Sequence, residues 1–202
     1  MTDRTDEQLL ADHAAGDADA FRRLVERYNR ELYTFVFRFT RSTAAAEDVV
    51  QESFLQIHLS ADRFDPSRRF KPWLFTIGAN KARDWLRGRS RQREVPLDAK
   101  ISGADETGQT FLDLLSDPGD APGEAMEADE TRQAVQRAVD RLPSALREAL
   151  VLAYFHRFAY KEMADVLGIP VGTVKSRLHA AVGAFGKVFR EESRNRENLS
   201  GE

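Results

Sequence analysis

The chain has 202 residues, 31% of them charged, and a formal net charge of −3, a length that accommodates one large domain or two small ones. It contains no cysteine, which excludes a disulfide framework and a thiolate metal site and is typical of a protein of the reducing cytoplasm. Its N-terminal stretch is acidic without an apolar core, and no run approaches the roughly 20 apolar residues that span a bilayer, so neither a signal peptide nor a membrane segment is predicted.

Charge is distributed unevenly along the chain. Residues 1–93 carry 17 Lys/Arg and 14 Asp/Glu, whereas residues 94–130 carry one lysine and 11 acidic residues. Residues 131–202 carry 12 basic and 8 acidic residues. Two mildly basic ends therefore flank an acidic middle, and the low overall pI does not exclude nucleic-acid binding.

Helical periodicity predicts two helices at the start of the chain. The first spans about residues 5–15, with Thr5 or Asp6 as its N-cap, and Asp17 caps the second. The second helix keeps an apolar residue on one face for five turns. Its predicted core residues are Phe21, Leu24, Val25, Tyr28, Leu32, Phe35, Val36 and Phe39.

A third helix is predicted over about residues 44–59. Its apolar stripe consists of Val50, Phe54 and Ile57. The other sides of this helix carry Asp48, Gln51, Glu52, Leu55 and His58. A polar helix face of this kind is usually solvated, but an exposed leucine equally suits a flat surface for a protein partner.

The fourth predicted helix begins at Pro72, a favourable first helical residue, and runs to about residue 91. From Arg68 to Arg93 the sequence has nine basic residues and one acid, with two tryptophans interleaved. Basic side chains supply phosphate affinity, and aromatic faces stack on unpaired bases for ~1–3 kcal/mol each. The loop before this helix could therefore receive a base extruded from a duplex.

The same aromatic residues could instead form core. We expect Leu74 and Ile77 to be core, and Phe64, Phe70 and Trp73 to lie nearer the nucleic acid. Trp85 fits either interpretation.

The acidic middle lacks helical periodicity and is predicted to be a linker. Residues 94–124 hold three prolines and four glycines. A short apolar cluster interrupts it, either as a docking turn or as a staple onto a neighbouring domain. This cluster comprises Phe111, Leu112, Leu114 and Leu115.

The C-terminal part is predicted to contain a helix at about residues 125–141, a second helix entered through Pro143, and a helix-turn-helix. In that motif Gly168 ends the first helix, because glycine adopts the left-handed conformation cheaply, and Pro170 starts the next. The second helix opens with small and hydroxylated residues followed by basic ones, as suits the DNA major groove. The alternative is an ordinary helical hairpin. No strand-like alternation appears, so the protein is predicted to be all-α.

Catalysis has little support. Glu47, Asp48 and Asp84 offer carboxylates, but no nucleophile motif, general-base histidine or phosphate-binding glycine loop accompanies them. The four histidines, His13, His58, His156 and His179, are scattered along the sequence. We therefore predict no enzyme, no cofactor and no metal site.

Three segments in order closely resemble the extracytoplasmic-function (group IV) bacterial sigma factors. They read AEDVVQESFLQIH, FKPWLFTIGANKARDWLR and LPSALREALVLAYFHRFAYKEMADVLGIPVGTVKSRLH. The resemblance covers nearly the whole chain apart from the linker and the last dozen residues. It implies two small helical domains, region 2 at residues 1–93 and region 4 at residues 131–190. A flexible acidic linker at residues 94–130 joins them, and a polar, disordered tail follows at residues 191–202.

The resemblance also implies the partners and the residues that bind them. The implied partners are core RNA polymerase, bound through its β′ and β subunits, and promoter DNA. Many relatives also bind an anti-sigma factor. The chain is expected to be monomeric when it is not bound to polymerase. The residues that bind polymerase are Glu47, Asp48, Gln51, Glu52, Phe54 and Leu55. Those at the minus-ten element are Phe64, Ser67, Arg68, Arg69, Phe70, Lys71, Trp73, Asn80, Lys81, Arg83 and Arg87. Those at the minus-35 element are Tyr160, Lys161, Thr173, Lys175, Ser176, Arg177 and His179.

Three residues depart from the family pattern. Ala180 and Val182 stand where relatives usually have basic residues, which predicts a missing DNA contact. Ala159 stands where serine is common, which removes an N-cap worth ~1 kcal/mol. Two other functions remain open: a stand-alone helix-turn-helix regulator with residues 1–93 as sensor, and an interaction protein that titrates a partner.

Overall fold

The computed structural model describes residues 4–90 and 125–200, with side chains described for residues 4–88 and 133–192. Within these ranges every regular element is helical and no strand occurs, which confirms the all-α prediction. The apolar cluster at residues 111–115 and most of the predicted linker lie outside the described residues. The chain divides into two compact units: an N-terminal unit, which also includes residues 162–168, and a C-terminal unit, which comprises the other described residues from 125 onward.

The first two helices, α1 (Asp6–Ala14) and α2 (Ala18–Thr40), begin at the predicted caps. The Thr5 hydroxyl accepts a hydrogen bond from the Gln8 N–H at 3.2 Å, and the Gln8 side chain accepts one from the Thr5 N–H at 3.0 Å, a capping box. The Asp17 carboxylate accepts hydrogen bonds from the N–H groups of residues 19 and 20.

Helix α2 is the centre of the N-terminal unit and packs against α1, α3 and α4. Six of its eight predicted core residues are buried. Phe21 and Val25 are only half-buried, because they lie at the edge of the buried stripe.

Helix α3 (Thr43–Ser60) is capped by the Ser42 hydroxyl, which accepts a hydrogen bond from the Ala45 N–H at 3.3 Å. Its predicted stripe of Val50, Phe54 and Ile57 is buried. A single 3₁₀ turn, Ala61–Arg63, follows it directly.

Helix α4 (Phe70–Ser90) begins two residues before the predicted start at Pro72. The Phe70 N–H donates to the Glu7 carboxylate of α1 at 2.9 Å, so a residue 63 positions away completes this helix terminus. Proline remains acceptable in the first turn, because the N–H that it lacks has no partner within the helix there.

The contact between α4 and α2 requires a glycine. A Cβ atom at Gly78 would lie 2.8 Å from the Leu32 Cδ1 atom, closer than real Cβ contacts. Leu32 itself is completely buried, so it has no free space into which to move.

The C-terminal part of the chain contains α5 (Ala125–Arg141), α6 (Ser144–Leu150), α7 (Tyr160–Leu167) and α8 (Val171–Ser200). Helix α6 begins after Pro143, as predicted, and passes into a π-helical turn, Val151–Phe155. Helix α8 packs against α5 and α6. The chain leaves the π-helical turn through Arg157, which has φ +53°, a conformation costly for a residue with a side chain.

The prediction of a disordered tail is wrong for residues 191–200, which continue α8. This stretch contains no glycine or proline, and its first two residues, Glu191 and Glu192, form ion pairs with α5. Arg141 contacts Glu192 at 3.0 Å and Glu191 at 3.4 Å, and Arg137 contacts Glu192 at 3.5 Å. Ion pairs of this kind between elements cannot be read from local composition.

None of the described helices is both long and apolar enough to span a bilayer.

Candidate nucleic-acid and protein interfaces

The outward side of α3 presents acidic and apolar side chains together. Its exposed residues include Glu47, Asp48, Gln51, Glu52 and Leu55, and we call these five residues with Leu59 the α3 surface. Leu55 is 56% exposed and Leu59 is 70% exposed, which is unusual for leucine. Sequence reasoning did not select Leu59, although its position four residues after Leu55 signals a shared helix face.

Phe54 does not belong to the α3 surface. It is only 7% exposed and lies in the core of the N-terminal unit, as its place in the apolar stripe predicted. Any role of Phe54 in binding is therefore to hold α3 in place.

One ion pair connects α3 to α4. Lys81 Nζ lies 3.0 Å from the Glu52 carboxylate. The lysine side chain is 23% exposed and the glutamate 62% exposed, so the lysine is held against the protein while the acid stays at the surface.

The loop before α4 is held by a turn centred on Asp65. The Asp65 carboxylate accepts the Ser67 N–H at 2.9 Å, and its carbonyl accepts the Arg68 N–H at 3.0 Å. Hydrogen bonds from the side chain and backbone of Ser67 lower the pKa of Asp65. The turn leaves Ser67, Arg68 and Arg69 exposed to solvent, as suits contacts with phosphates.

Two aromatic rings lie at the surface where this loop meets α4. The ring centroids of Phe64 and Trp73 are 4.8 Å apart with an angle of 44° between their planes. Both side chains are half-buried, so each has a face against the protein and atoms accessible to a ligand. The two rings are therefore accessible at the surface, and their contact with nucleic acid stays a prediction.

The expectation that Phe70 also faces nucleic acid is not met, since its side chain is 0% exposed. Its ring packs 5.6 Å from that of Tyr28, between α2 and α4. Lys71 is also turned toward the protein, because its Nζ atom lies 2.6 Å from the Glu31 carboxylate and 5.8 Å from the Phe75 ring centroid. Leu74 and Ile77 are buried as predicted.

The polar side of α4 continues from Trp73 along the helix. Asn80, Arg83 and Arg87 follow at intervals of three or four residues and therefore share one side. The side-chain oxygen Oδ1 of Asn80 accepts a hydrogen bond from Arg83 Nη1 at 2.6 Å, and Arg87 forms an ion pair with Asp84. Amide, guanidinium and aromatic groups thus form a row that suits an extended strand of nucleic acid.

Helices α7 and α8 are joined by a turn of three residues, at the position predicted from Gly168 and Pro170. Gly168 follows the last residue of α7 with φ +66°, the left-handed conformation that favours glycine. The Pro170 carbonyl accepts the Val174 N–H at 3.0 Å and so forms the first helical hydrogen bond of α8. Val174 and Leu178 of α8 are buried, and so are Met163 and Leu167 of α7.

The first turns of α8 expose the predicted contact residues. Thr173, Lys175, Ser176 and His179 are exposed, and Arg177 is half-buried. Tyr160 and Lys161 at the start of α7 are also exposed. Lys175 Nζ lies 5.9 Å from the Tyr160 ring centroid, which places a cation beside an exposed aromatic ring.

The two departures in α8 differ in kind. Val182 is only 9% exposed and, like Phe185, belongs to the core. A basic residue at this position would disturb the core packing. Ala180 is half-buried and therefore partly accessible. Of the two residues, only Ala180 stands at a position where a longer side chain could reach solvent without entering the core.

Comparison with known families identifies both the N-terminal and the C-terminal part of the chain. The family model Sigma-70 region 2 matches residues 24–92, and the model Sigma-70, region 4 matches residues 132–184. The ECF RNA polymerase sigma factor SigW of Bacillus subtilis is 33% identical over 87% of this chain and 92% of its own length. The chain belongs to the extracytoplasmic-function sigma factors. The RNA polymerase sigma-H factor of Pseudomonas aeruginosa is 32% identical to this sigma factor over 94% of the chain and 96% of its own length.

Solved structures show the same fold. The structure of CnrH in complex with the cytosolic domain of CnrY matches 93% of this sigma factor and 99% of CnrH, with a TM-score of 0.65 and 26% identity. The sigma factor RpoE in complex with the anti-sigma factor NepR from Bartonella quintana matches with a TM-score of 0.61 and 22% identity, over 84% of this chain and 96% of RpoE. Since region 2 and region 4 are both present, a stand-alone helix-turn-helix regulator is not favoured.

Proposed function

We propose that this sigma factor binds core RNA polymerase and directs promoter recognition, DNA melting and transcription initiation. The observation that carries the proposal is the presence, in one chain, of a surface aromatic pair beside a basic loop and of a helix-turn-helix with exposed polar residues. The first suits unpaired bases and the second suits duplex DNA. We assign residues 1–93 to polymerase and minus-ten binding, residues 94–130 to a linker, and residues 131–190 to minus-35 binding.

The α3 surface is the proposed contact with polymerase, at the coiled coil of the β′ subunit. Exposed leucines supply apolar area to bury, and the acidic residues around them favour a basic partner. Leu55→Lys is expected to weaken binding to core polymerase at least tenfold, measured by fluorescence anisotropy of the labelled chain. Phe37→Lys is the control, because Phe37 is also an exposed apolar residue, 39% exposed, but lies on α2. Equal effects of the two changes would contradict the assignment.

The Phe64–Trp73 pair is the proposed receptor for an unstacked base of the minus-ten element. Stacking on an aromatic ring contributes ~1–3 kcal/mol per base, and the neighbouring Arg68 adds phosphate affinity. Phe64→Ala is expected to leave binding to polymerase and to duplex minus-35 DNA intact but to impair strand opening. Permanganate footprinting, which detects unpaired thymines, measures that opening. Normal opening in the variant would place Phe64 with the core residues instead.

The first turns of α8 are the proposed reader of the minus-35 element. Arg177→Ala is expected to cost ~1–3 kcal/mol of affinity for minus-35 duplex if the guanidinium reads a base edge. Lys187→Ala, an exposed cation further along the same helix, is the matched control and is expected to have a smaller effect. Competition with random duplex separates base reading from phosphate contact, because a pure phosphate contact weakens both equally.

The proposal includes partners, compartment and the absence of catalysis. The structurally similar sigma factor RpoE was solved in complex with the anti-sigma factor NepR, so an anti-sigma partner is proposed here too. We place the protein in the cytoplasm with the polymerase, as a monomer when it is not bound. We propose no catalytic activity of its own, since its action is to position DNA on an enzyme that polymerises RNA.

A further inference from the structure

Two histidines that are 45 residues apart in the sequence meet in the N-terminal unit. His13 lies in the last turn of α1 and His58 in the last turn of α3. The Nε2 atom of His13 and the Nδ1 atom of His58 are 3.0 Å apart, and the ring centroids are 4.9 Å apart. Sequence reasoning treated these histidines as scattered and missed the pair, because only the tertiary fold brings the helix ends together.

Both imidazole rings rest on the same aromatic side chain. The His13 ring stacks on Phe21 at 4.6 Å with an angle of 29°, and the His58 ring lies 5.4 Å from Phe21. Phe21 in turn contacts Phe54 edge-on at 6.4 Å. The side chain of His13 is half-buried and that of His58 is exposed. The pair therefore packs against Phe21 on one side and is accessible to solvent on the other.

The separation of the two nitrogens fits a metal ion as well as it fits a hydrogen bond. With metal–nitrogen distances of about 2.1 Å, nitrogens 3.0 Å apart subtend roughly 90° at the ion. That angle is the one between neighbouring ligands in octahedral and square-planar coordination, and it is narrower than the tetrahedral angle. Imidazole nitrogen is a good ligand for Ni²⁺ and Cu²⁺, which adopt these geometries.

We propose that His13 and His58 form an open site for a divalent transition metal ion of the Ni²⁺ or Cu²⁺ class. The described residues include no group of three or more metal-ligating side chains, so water would complete the coordination of a bound ion. A bound ion would link the end of α1 to the end of α3.

Isothermal titration calorimetry of the full chain, without an affinity tag, tests the site with NiCl₂ and CuCl₂. We expect one ion per chain with a Kd below about 1 mM, and binding at least tenfold weaker in His58→Gln and in His13→Gln. His179→Gln is the matched control, since His179 is exposed on α8, and its isotherm is expected to be unchanged.

A second measurement distinguishes a site between helices from metal bound elsewhere. The only two tryptophans, Trp73 and Trp85, both lie in α4, so tryptophan fluorescence follows the unfolding of the N-terminal unit. Ni²⁺ is expected to raise the melting temperature of this unit in the wild type and not in His58→Gln. Absence of binding, or equal binding and equal stabilisation in His58→Gln, would overturn the proposal and leave the pair as a hydrogen bond.

Discussion

Gly78 lies where α4 packs against α2, and its replacement by alanine tests that packing directly. In an exposed helix, Gly→Ala is stabilising by about 1 kcal/mol, because alanine has the higher helix propensity. At Gly78 the added Cβ would lie 2.8 Å from Leu32 Cδ1, whereas carbon atoms prefer about 3.5–4.0 Å. Overpacking of a buried contact costs ~1–3 kcal/mol, which exceeds the propensity gain. The expected net result is a destabilisation of about 1 kcal/mol.

Urea denaturation followed by tryptophan fluorescence measures this effect in the N-terminal unit alone. With a slope of ~1–2 kcal/mol per molar urea, the midpoint of Gly78→Ala should fall by roughly 0.5–1 M. Gly88→Ala is the matched control in the same helix, because a Cβ at Gly88 meets nothing within 4 Å. That variant should raise the midpoint or leave it unchanged. A midpoint for Gly78→Ala as high as that of Gly88→Ala would refute the close approach of α4 to α2.

Two further changes test local features of the fold. Burial raises the pKa of Glu7, but opposing effects are larger, and the pKa is lowered overall. These effects are hydrogen bonds from Phe70, from the backbone of Glu7 and from Thr5, and the positive charge of Arg69. The Glu7 carboxylate therefore stabilises the fold above the ordinary pKa of 4.5, and this stabilisation disappears as the pH falls through the lowered pKa. Glu7→Gln should accordingly lower the urea midpoint at pH 7 and match the wild type in acid; a constant difference at every pH would contradict this role. Arg157→Gly should raise the stability of the C-terminal unit by ~1 kcal/mol, because glycine adopts a φ of +53° without strain. The control Arg190→Gly, within α8, should lower the stability of the same unit, because glycine is unfavourable inside a helix. Calorimetry of each variant measures both effects. A loss of stability in Arg157→Gly would contradict backbone strain at Arg157.

Features that depend on neighbouring residues were predictable from the sequence. At the two N-terminal caps, the side chains of Thr5 and Asp17 accept hydrogen bonds from N–H groups only two or three residues further along the chain. Gly168 ends α7 because of its own backbone freedom. The buried stripes of α2 and α3 follow from helical spacing, so the fold class and most helix ends can be inferred from the order of the residues alone.

Features that depend on distant residues were not predictable in the same way. Phe70 is drawn into α4 and the core by Glu7 and Tyr28, both far away in the sequence. Glu192, near the end of α8, forms ion pairs with two arginines of α5 that lie about 50 residues earlier in the sequence. The role of Phe70 in the candidate site could not be predicted either. An aromatic residue beside basic residues suits both DNA contact and core packing, and only the tertiary contacts distinguish the two.

In vitro transcription tests the central claim most directly. The purified chain is added to core RNA polymerase, free of other sigma factors, on a supercoiled library of promoter fragments, and transcript starts are mapped. The proposed function predicts transcripts from a defined set of promoters that require the chain and fall sharply with Phe64→Ala. Transcripts that appear only when another sigma factor is added would contradict it and would favour a regulator or a protein that titrates a partner.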